Sequence, residues 1–362
     1  MEESKFSEAV GLLKKLISVS SFSNEENEAA DIWEGWLKSH GVKNEKRFHN
    51  NVYAISEKFD PSKPVLLLNS HLDTVKPVSS YSRNPFQATI EDGKLYGLGS
   101  NDAGGAGVSL AVNYLKFKDR SDLPFNLLLA ITASEEKMGE FGMRSFLPHI
   151  KEEGLYPHMA VVGEPTGCQA AIAERGLVVC DAIVRGKAAH AARNEGINSI
   201  YRACKDIEIL QNIKWDKTSD ILGPVKVSVT MISAGTQHNI VPDICSYVVD
   251  IRTTDAYTNE ETVDYLRTKV EWSEFTPRST RIRASVLPYD HPLMKASKIV
   301  GLETFVSPTT SDMALMYDIP SIKIGPGKSE RSHTADEYIE LNEILAGIDT
   351  YEKILNSLSL IL

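Results

Sequence analysis

At 362 residues the chain is longer than one hydrophobic core usually serves, so two domains, or a core with an inserted module, are expected. With 42% hydrophobic and 24% charged residues, the composition excludes a disordered chain. The 39 Lys and Arg against 49 Asp and Glu leave a net charge of −10, which offers no bulk attraction to nucleic-acid phosphates or anionic lipid. No basic region followed by an apolar run opens the sequence, and no apolar stretch approaches the roughly 20 residues that span a bilayer. Cys168, Cys180, Cys204 and Cys245 are scattered without metal-site spacing and read as free thiols. These features together predict a soluble, cytoplasmic protein.

From the amino end, Phe6, Ala9, Leu12, Leu13, Leu16 and Ile17 recur at helical spacing. Ser23 and Glu26 have the spacing of a capping box. The second amphipathic helix they precede carries Ile32, Trp33, Trp36 and Leu37, and Gly41 stands where a C-cap belongs. The runs VLLLNS (65–70), NLLLAITAS (126–134), MAVVGE (159–164) and IPSIKIG (319–325) are short and almost wholly apolar. Strands of a mostly parallel sheet, covered by helices on both faces, read this way. Helical segments near 103–118 and 342–359 complete an α/β layered domain over 1–173 and 289–362. Between 174 and 288 the rhythm changes to alternation, in GLVVCDAIVRG, GPVKVSVTMIS, CSYVVDIRT and RIRASVL. Two helical stretches, INSIYRACKDIEILQ and TNEETVDYLRTKVE, intervene. The order β-α-β-β-α-β is that of a ferredoxin-like module inserted into the first domain.

Several buried runs end in candidate metal ligands. VLLLNS leads into His71 and Asp73, NLLLAITAS into Glu135-Glu136, and MAVVG into Glu164. Ligands gather outside the carboxyl ends of strands in open α/β sheets, so these side chains can share one crevice. Asp102 lies in a glycine-rich turn, LYGLGSNDAGGAG, and His333 in the loop after IPSIKIGPG. Two imidazoles and three carboxylates suit a pair of divalent first-row ions, zinc above all, with a carboxylate bridging them. Taken singly, an HxD pair or adjacent glutamates are more often surface residues; joint occurrence at strand ends carries the argument. The glycine-rich stretch lacks the GxGxxG spacing of a dinucleotide site.

SHLDTV, YGLGSNDAGG, SEE, GEPT and SHTADE resemble, in order and spacing, the motif series of the M20 family of metallohydrolases. The likeness covers essentially the whole chain and is greatest to the acetylornithine deacetylase and succinyl-diaminopimelate desuccinylase branch. It implies a zinc-exopeptidase-like catalytic domain with a lid at 174–288 through which two copies form a homodimer. It implies two Zn²⁺ per chain, replaceable by Co²⁺ or Mn²⁺. His71, Asp102 and Glu164 would hold one ion, and Asp102, Glu136 and His333 the other, with Asp102 bridging. Asp73 would orient the His71 imidazole, and Glu135 would be the general base. Successive residues of an extended segment point oppositely, which would let Glu136 ligate while Glu135 stays free. A cis peptide is expected at Asp102–Ala103. One departure is local: many members carry Asp-x-Lys-Gly where this chain has Asp102-Ala103-Gly104-Gly105.

In the lid, His190 of GKAAHAA matches a histidine that completes the oxyanion site of a neighbouring subunit. Arg175, Asn239 and Arg252 match positions that bind the substrate carboxylate, and Thr310 a loop lining the cleft. Read without the resemblance, His190 is equally a loop histidine and Arg252 a solvated edge arginine. The activity implied is removal of an N-acyl group from a small N-acyl amino acid, acetylornithine foremost, as in arginine biosynthesis. Succinyl-ornithine, succinyl-citrulline or succinyl-diaminopimelate, and di- or tripeptides, are the alternatives. A non-catalytic metal-binding homologue is expected to have lost Glu135 or a ligand, and this chain keeps them all. Lys328 and Arg331, just before His333, could bring a cation to a second carboxylate on a succinyl arm; the alternative is that both simply face solvent.

Overall fold

The computed structural model describes residues 2–362, and the chain divides into two units. The first comprises residues up to Ile172 with Leu287–Phe305 and Ser311–Leu362; the second comprises Ala173–Val286 and Val306–Thr310. The sequence pattern places 306–310 in the first domain. This polar return, ending in Pro308, Thr309 and Thr310, has no periodicity that could have assigned it.

In the first unit the apolar runs form neighbouring strands in the order Asn51–Ile55, Asn126–Thr132, Val65–His71, Met159–Val162 and Ser321–Lys323. Glu45–Phe48 pairs antiparallel outside Asn51–Ile55, which is itself antiparallel to Asn126–Thr132. Val65–His71 is parallel to both of its neighbours, and Met159–Val162 is parallel to Ser321–Lys323. Every residue of 65–71 and 126–132 is buried, because both faces of the sheet are covered. Leu66, Leu68, Leu127 and Leu129 join a core with Leu12, Trp33, Leu37 and Tyr351. Val65, Leu67 and Leu128 face Phe146, Ile150, Met313 and Met316 on the other side. The helices Glu2–Ile17, Asn27–Ser39, Gly105–Phe117 and Leu341–Ile361 supply most of the first layer. The near-continuous apolar runs are thus period-two strands with an apolar partner on each face.

Gly41, at φ 72, ends the second helix as expected: Val42 N–H donates to the Leu37 carbonyl and Gly41 N–H to that of Lys38. The capping box does not form. Residue 26 begins Asn27–Ser39 without a side-chain cap; Ser23 Oγ donates to Asp73 instead, and Glu26 accepts from Ser134. Both side chains are taken by the site described below.

The second unit is an antiparallel sheet in the order Lys226–Ala234, Ile244–Thr253, Gly176–Arg185 and Ser273–Pro277, with helices Ser199–Gln211 and Asn259–Lys269. Alternate residues Val178, Cys180, Ala182 and Val184 join Tyr247, Val249, Ile251 and Leu266 in its core. The chain order is the expected βαββαβ, but the last strand is SEFTP rather than RIRASVL. An edge strand with Phe275 as its one buried residue carries almost no alternation. From RIRASVL only Ser285-Val286 is a strand, paired with Ala173-Glu174. Among the described residues no helix is long and apolar enough to cross a membrane.

Candidate metal centre

The parallel strands end at one edge of the first unit. His71 is the last residue of its strand, level with Thr132, while Glu135-Glu136 and Glu164 follow their strands by a few residues. Asp102 lies in the turn Ser100–Gly104 that opens helix Gly105–Phe117, and the Asp102–Ala103 peptide is cis. The turn closes with Gly104 N–H on the Gly99 carbonyl, and a Cβ at 104 would sit 2.4 Å from that oxygen. A side chain at 104 would therefore force the Gly99 carbonyl or Leu13 to shift in this chain.

His71 Nε2 stands 3.3 Å from Asp102 Oδ1 and 3.8 Å from Glu164 Oε1. His333 Nε2 stands 2.9 Å from Glu136 Oε2 and 3.6 Å from Asp102 Oδ2. The two oxygens of Asp102 thus face different imidazoles, and the donors fall into two half-sites sharing one carboxylate. Glu135 makes no side-chain hydrogen bond among the described residues. Although its carboxylate also comes within 4.8 Å of His71 and Glu164 donors, it is Glu136 that meets His333.

Hydrogen bonds around the donors fix their directions. His71 Nδ1 is 2.9 Å from the Asp73 main-chain oxygen. A carbonyl only accepts, so Nδ1 carries a proton and Nε2 is the ring atom turned to Asp102 and Glu164; it donates to the Asp102 carboxylate when protonated and could ligate an ion once that proton is lost. The Asp73 carboxylate lies farther from that ring, at 3.6 Å. Its oxygens accept from Glu135 N–H at 2.9 Å, Glu136 N–H at 3.2 Å and Ser23 Oγ at 2.7 Å. Asp73 therefore orients His71 chiefly through its carbonyl and uses its carboxylate to hold the glutamate turn. That turn is a 3₁₀ segment, Glu135–Lys137, flanked by Ser134 and Met138 at positive φ, and not the extended stretch expected from the sequence. A rotation of about 120° per residue separates the two glutamates. Buried Glu26 braces the same turn, accepting from both Ser134 N–H and Ser134 Oγ.

The electrostatics show a site overloaded with acid. Burial pushes Glu135 well above the usual carboxylate range, with Glu164, Asp312 and Glu136 adding to it. Burial likewise pushes Glu164 up to about 8, with Asp102 and Glu136 acting in the same sense. Asp102 is just as buried, yet the His71 hydrogen bond and charge hold it below its ordinary value. Donating a hydrogen bond to the Glu136 carboxylate raises His333 to about 9. Asp312, bonded to Thr132 Oγ1 at 2.7 Å, is raised by burial to about 6. Divalent cations binding among such clustered carboxylates displace their protons. Two triads, His71 with Asp102 and Glu136 and His71 with Glu135 and Glu164, bring their donor atoms within 4.8 Å of one another, and such mixed imidazole and carboxylate donors fit zinc, cobalt or manganese.

Residues 67–357 match the family described as Peptidase family M20/M25/M40. The chain belongs to this family. Among relatives of this M20 chain, a succinyl-diaminopimelate desuccinylase from Helicobacter pylori is 32% identical over 204 residues, 54% of this chain and 52% of that protein. One from Wolbachia pipientis is 27% identical over 360 residues, 92% of this chain and 89% of that protein. The match therefore spans about half of the Helicobacter enzyme and most of the Wolbachia one. Aminopeptidase PepT from Bacillus cereus superposes with TM-score 0.76 at 18% identity, covering 98% of both chains. A dinuclear metal binding peptidase of the M20 family from Bacillus subtilis superposes with TM-score 0.73 at 16% identity, covering 99% of both. These likenesses establish the α/β fold.

The remaining expected residues belong to the second unit. His190 lies in the short strand Ala189–His190, opposite Ile240, and Ala191 N–H donates to the Asn239 carbonyl, which places His190 and Asn239 together. Ala192 N–H donates to His190 Nδ1 at 3.1 Å. Arg252 pairs with Asp250 through Nε at 2.8 Å and Nη2 at 3.1 Å. Arg175 donates to the main-chain carbonyls of Leu222, Pro224 and Arg252, a use that ties backbone segments together. Thr310 is half-buried in the 306–310 return. Glu26, Asp312 and Glu337 surround the donors, although the sequence pattern marks Glu26 only as a helix cap and assigns the other two no role. Their one signal was position, as acidic residues beside motif segments.

Proposed function

We propose that the protein is a two-ion amidohydrolase that removes the acyl group from an N-acyl amino acid. The placement of the two Asp102 oxygens, one toward His71 and one toward His333, carries this reading. Divalent ions held by His71, Asp102 and Glu164 and by Asp102, Glu136 and His333 would activate water and polarise the amide carbonyl. Glu135 takes the proton of the attacking water as the new C–O bond forms, then delivers it to the departing nitrogen as the C–N bond breaks. A buried carboxylate whose proton affinity is raised suits both halves of that shuttle. His190 supplies an oxyanion donor. Because its Nδ1 accepts from Ala192, the neutral ring carries its proton on Nε2. Asn239 and Nη1 of Arg252, the guanidinium nitrogen not engaged by Asp250, receive the substrate α-carboxylate, while Arg175 is left to its backbone partners.

The desuccinylase relatives favour a succinyl arm. Lys328 is exposed, and its ammonium has no partner among the described residues, so it can meet a second carboxylate. Acetylornithine is the second reading, favoured because Arg331 is withdrawn: its guanidinium is held by Glu343 at 2.6 and 3.1 Å and packs over Tyr338 at 4.4 Å. A panel of acetyl and succinyl forms of ornithine, citrulline and diaminopimelate, with several dipeptides, separates them. The succinyl form is expected to lead by at least about tenfold in kcat/KM, roughly 1.4 kcal/mol, and Lys328→Ala to erase that lead. Equal or better turnover of the acetyl form decides for the smaller acyl group.

His190 is assigned to the site of a partner copy. The edge strand Lys226–Ala234 is outermost in its sheet and exposes Met231 and Ile232 at 65% and 55%, a surface suited to pairing with itself. Inactive Glu135→Ala and His190→Ala chains, mixed and allowed to exchange subunits, are expected to regain activity, since one hybrid site is complete. A fully active monomer excludes this arrangement.

A further inference from the structure

We propose that Glu337 is a positioning residue that couples the two halves of the metal pair, fixing the Asp102 turn directly and the His333 loop through Asn101. The inference rests on the two-ion reading and assigns a role to a side chain outside the donor set.

Glu337 is 2% exposed and precedes the short strand Tyr338–Glu340. Its Oε1 accepts from Asn101 N–H at 2.8 Å and from Asp102 N–H at 2.9 Å, and its Oε2 from Gly99 N–H at 2.9 Å. The Glu337 carbonyl takes a fourth donor of the same turn, Gly97 N–H, at 3.0 Å. A carboxylate accepting backbone N–H groups makes shorter and stronger bonds than a neutral acceptor. Here one side chain collects the bridging residue's own amide and two others within three residues of it.

The hold extends from Asn101 to the loop that carries His333. Asn101 Oδ1 accepts from Lys328 N–H at 2.9 Å, while its Nδ2 donates to the Lys328 carbonyl at 3.0 Å and to Ser332 Oγ at 3.4 Å. Gly327, at φ +86, makes that approach possible: a Cβ there would lie 2.4 Å from Asn101 Oδ1. His333 sits next to Ser332 at φ 60, and its imidazole is over half exposed. Unlike His71 and Glu164, which leave the ends of sheet strands, His333 is placed by these loop anchors. Glu337 therefore acts on the ion shared by Asp102, Glu136 and His333 more than on the one held at the strand ends.

Glu337→Gln keeps the shape, removes the charge and turns an amide N–H₂ against backbone donors. Metal-free full-length wild type and variant are titrated with Co²⁺ by calorimetry and by its d–d absorption. Wild type is expected to bind two ions. The variant should bind the first almost unchanged and the second about 10–100-fold more weakly, the usual cost of losing a group that orients ligands. Saturating Co²⁺ should then restore most of kcat, which it does not do for a merely misfolded chain. If Glu337→Gln does not fold, Asn101→Ala breaks the next link and should weaken the same ion. Two ions bound with wild-type affinities in the folded variant overturn the inference and leave the two-ion reading standing. A wild-type chain that takes up fewer than two ions overturns both.

Discussion

Replacing Glu135 with alanine is expected to leave the metal content of the chain intact while lowering kcat/KM by about 10²–10⁴-fold, the usual contribution of a general acid–base group. The contrast with its neighbour makes the experiment decisive. Glu136 Oε2 lies 2.9 Å from His333 Nε2, whereas Glu135 has no side-chain hydrogen bond among the described residues. Both main-chain amides are held by the Asp73 carboxylate, so removing either side chain leaves the turn anchored. Glu136→Ala should therefore lose an ion, measured by elemental analysis after gel filtration. If Glu135→Ala proves to be the variant that loses metal, the roles of the pair are reversed.

Asp102→Asn should produce the deepest metal defect of any single substitution, because it removes charge from both half-sites at once. An affinity loss beyond the roughly 10–100-fold typical of outer partners is expected for both ions, with activity falling to background. Glu164→Gln, which touches only the His71 side, should weaken one ion and spare the other. Equal effects of Asp102→Asn and Glu164→Gln on stoichiometry would mean that Asp102 serves one ion rather than two. Chelation of the wild type should abolish activity, and stoichiometric Zn²⁺ or Co²⁺ should restore it.

Much of this candidate site is legible in the sequence because several of the proposed ligands and the proposed base lie at the ends of strands whose apolar runs announce themselves. His71, Glu136 and Glu164 each close such a run, and the glycines around Asp102 mark a turn entering a helix. The supporting carboxylates are not legible. Glu26 has the spacing of a helix cap, and only the folded chain shows that Ser134, 108 residues away, takes it. Glu337 is one of two consecutive acids in ADE: Asp336 accepts from Ser82 and Arg83 near the surface, while Glu337 is buried under the Asp102 turn. Nothing in local pattern distinguishes them. The misplaced last strand of the second unit has a similar origin. SEFTP is held at an edge by pairing with Gly176–Arg185, and pairing leaves no trace in its own composition.

The long reach of the Glu26 and Glu337 hydrogen bonds has a consequence for how activity arises during folding. Ser23 meets Asp73 across 50 residues, Glu26 meets Ser134 across 108, and Glu337 meets Asp102 across 235. Loop-closure entropy must be overcome before contacts this remote can form, so the catalytic turns become ordered only when the distant segments have docked. A nascent or partly unfolded chain can hold its central strands and still lack a competent centre. Uptake of the proposed ions would thereby report completion of the first unit, and each ion bound only by the native form would add to its stability, by about 2.7 kcal/mol at a hundredfold excess over Kd.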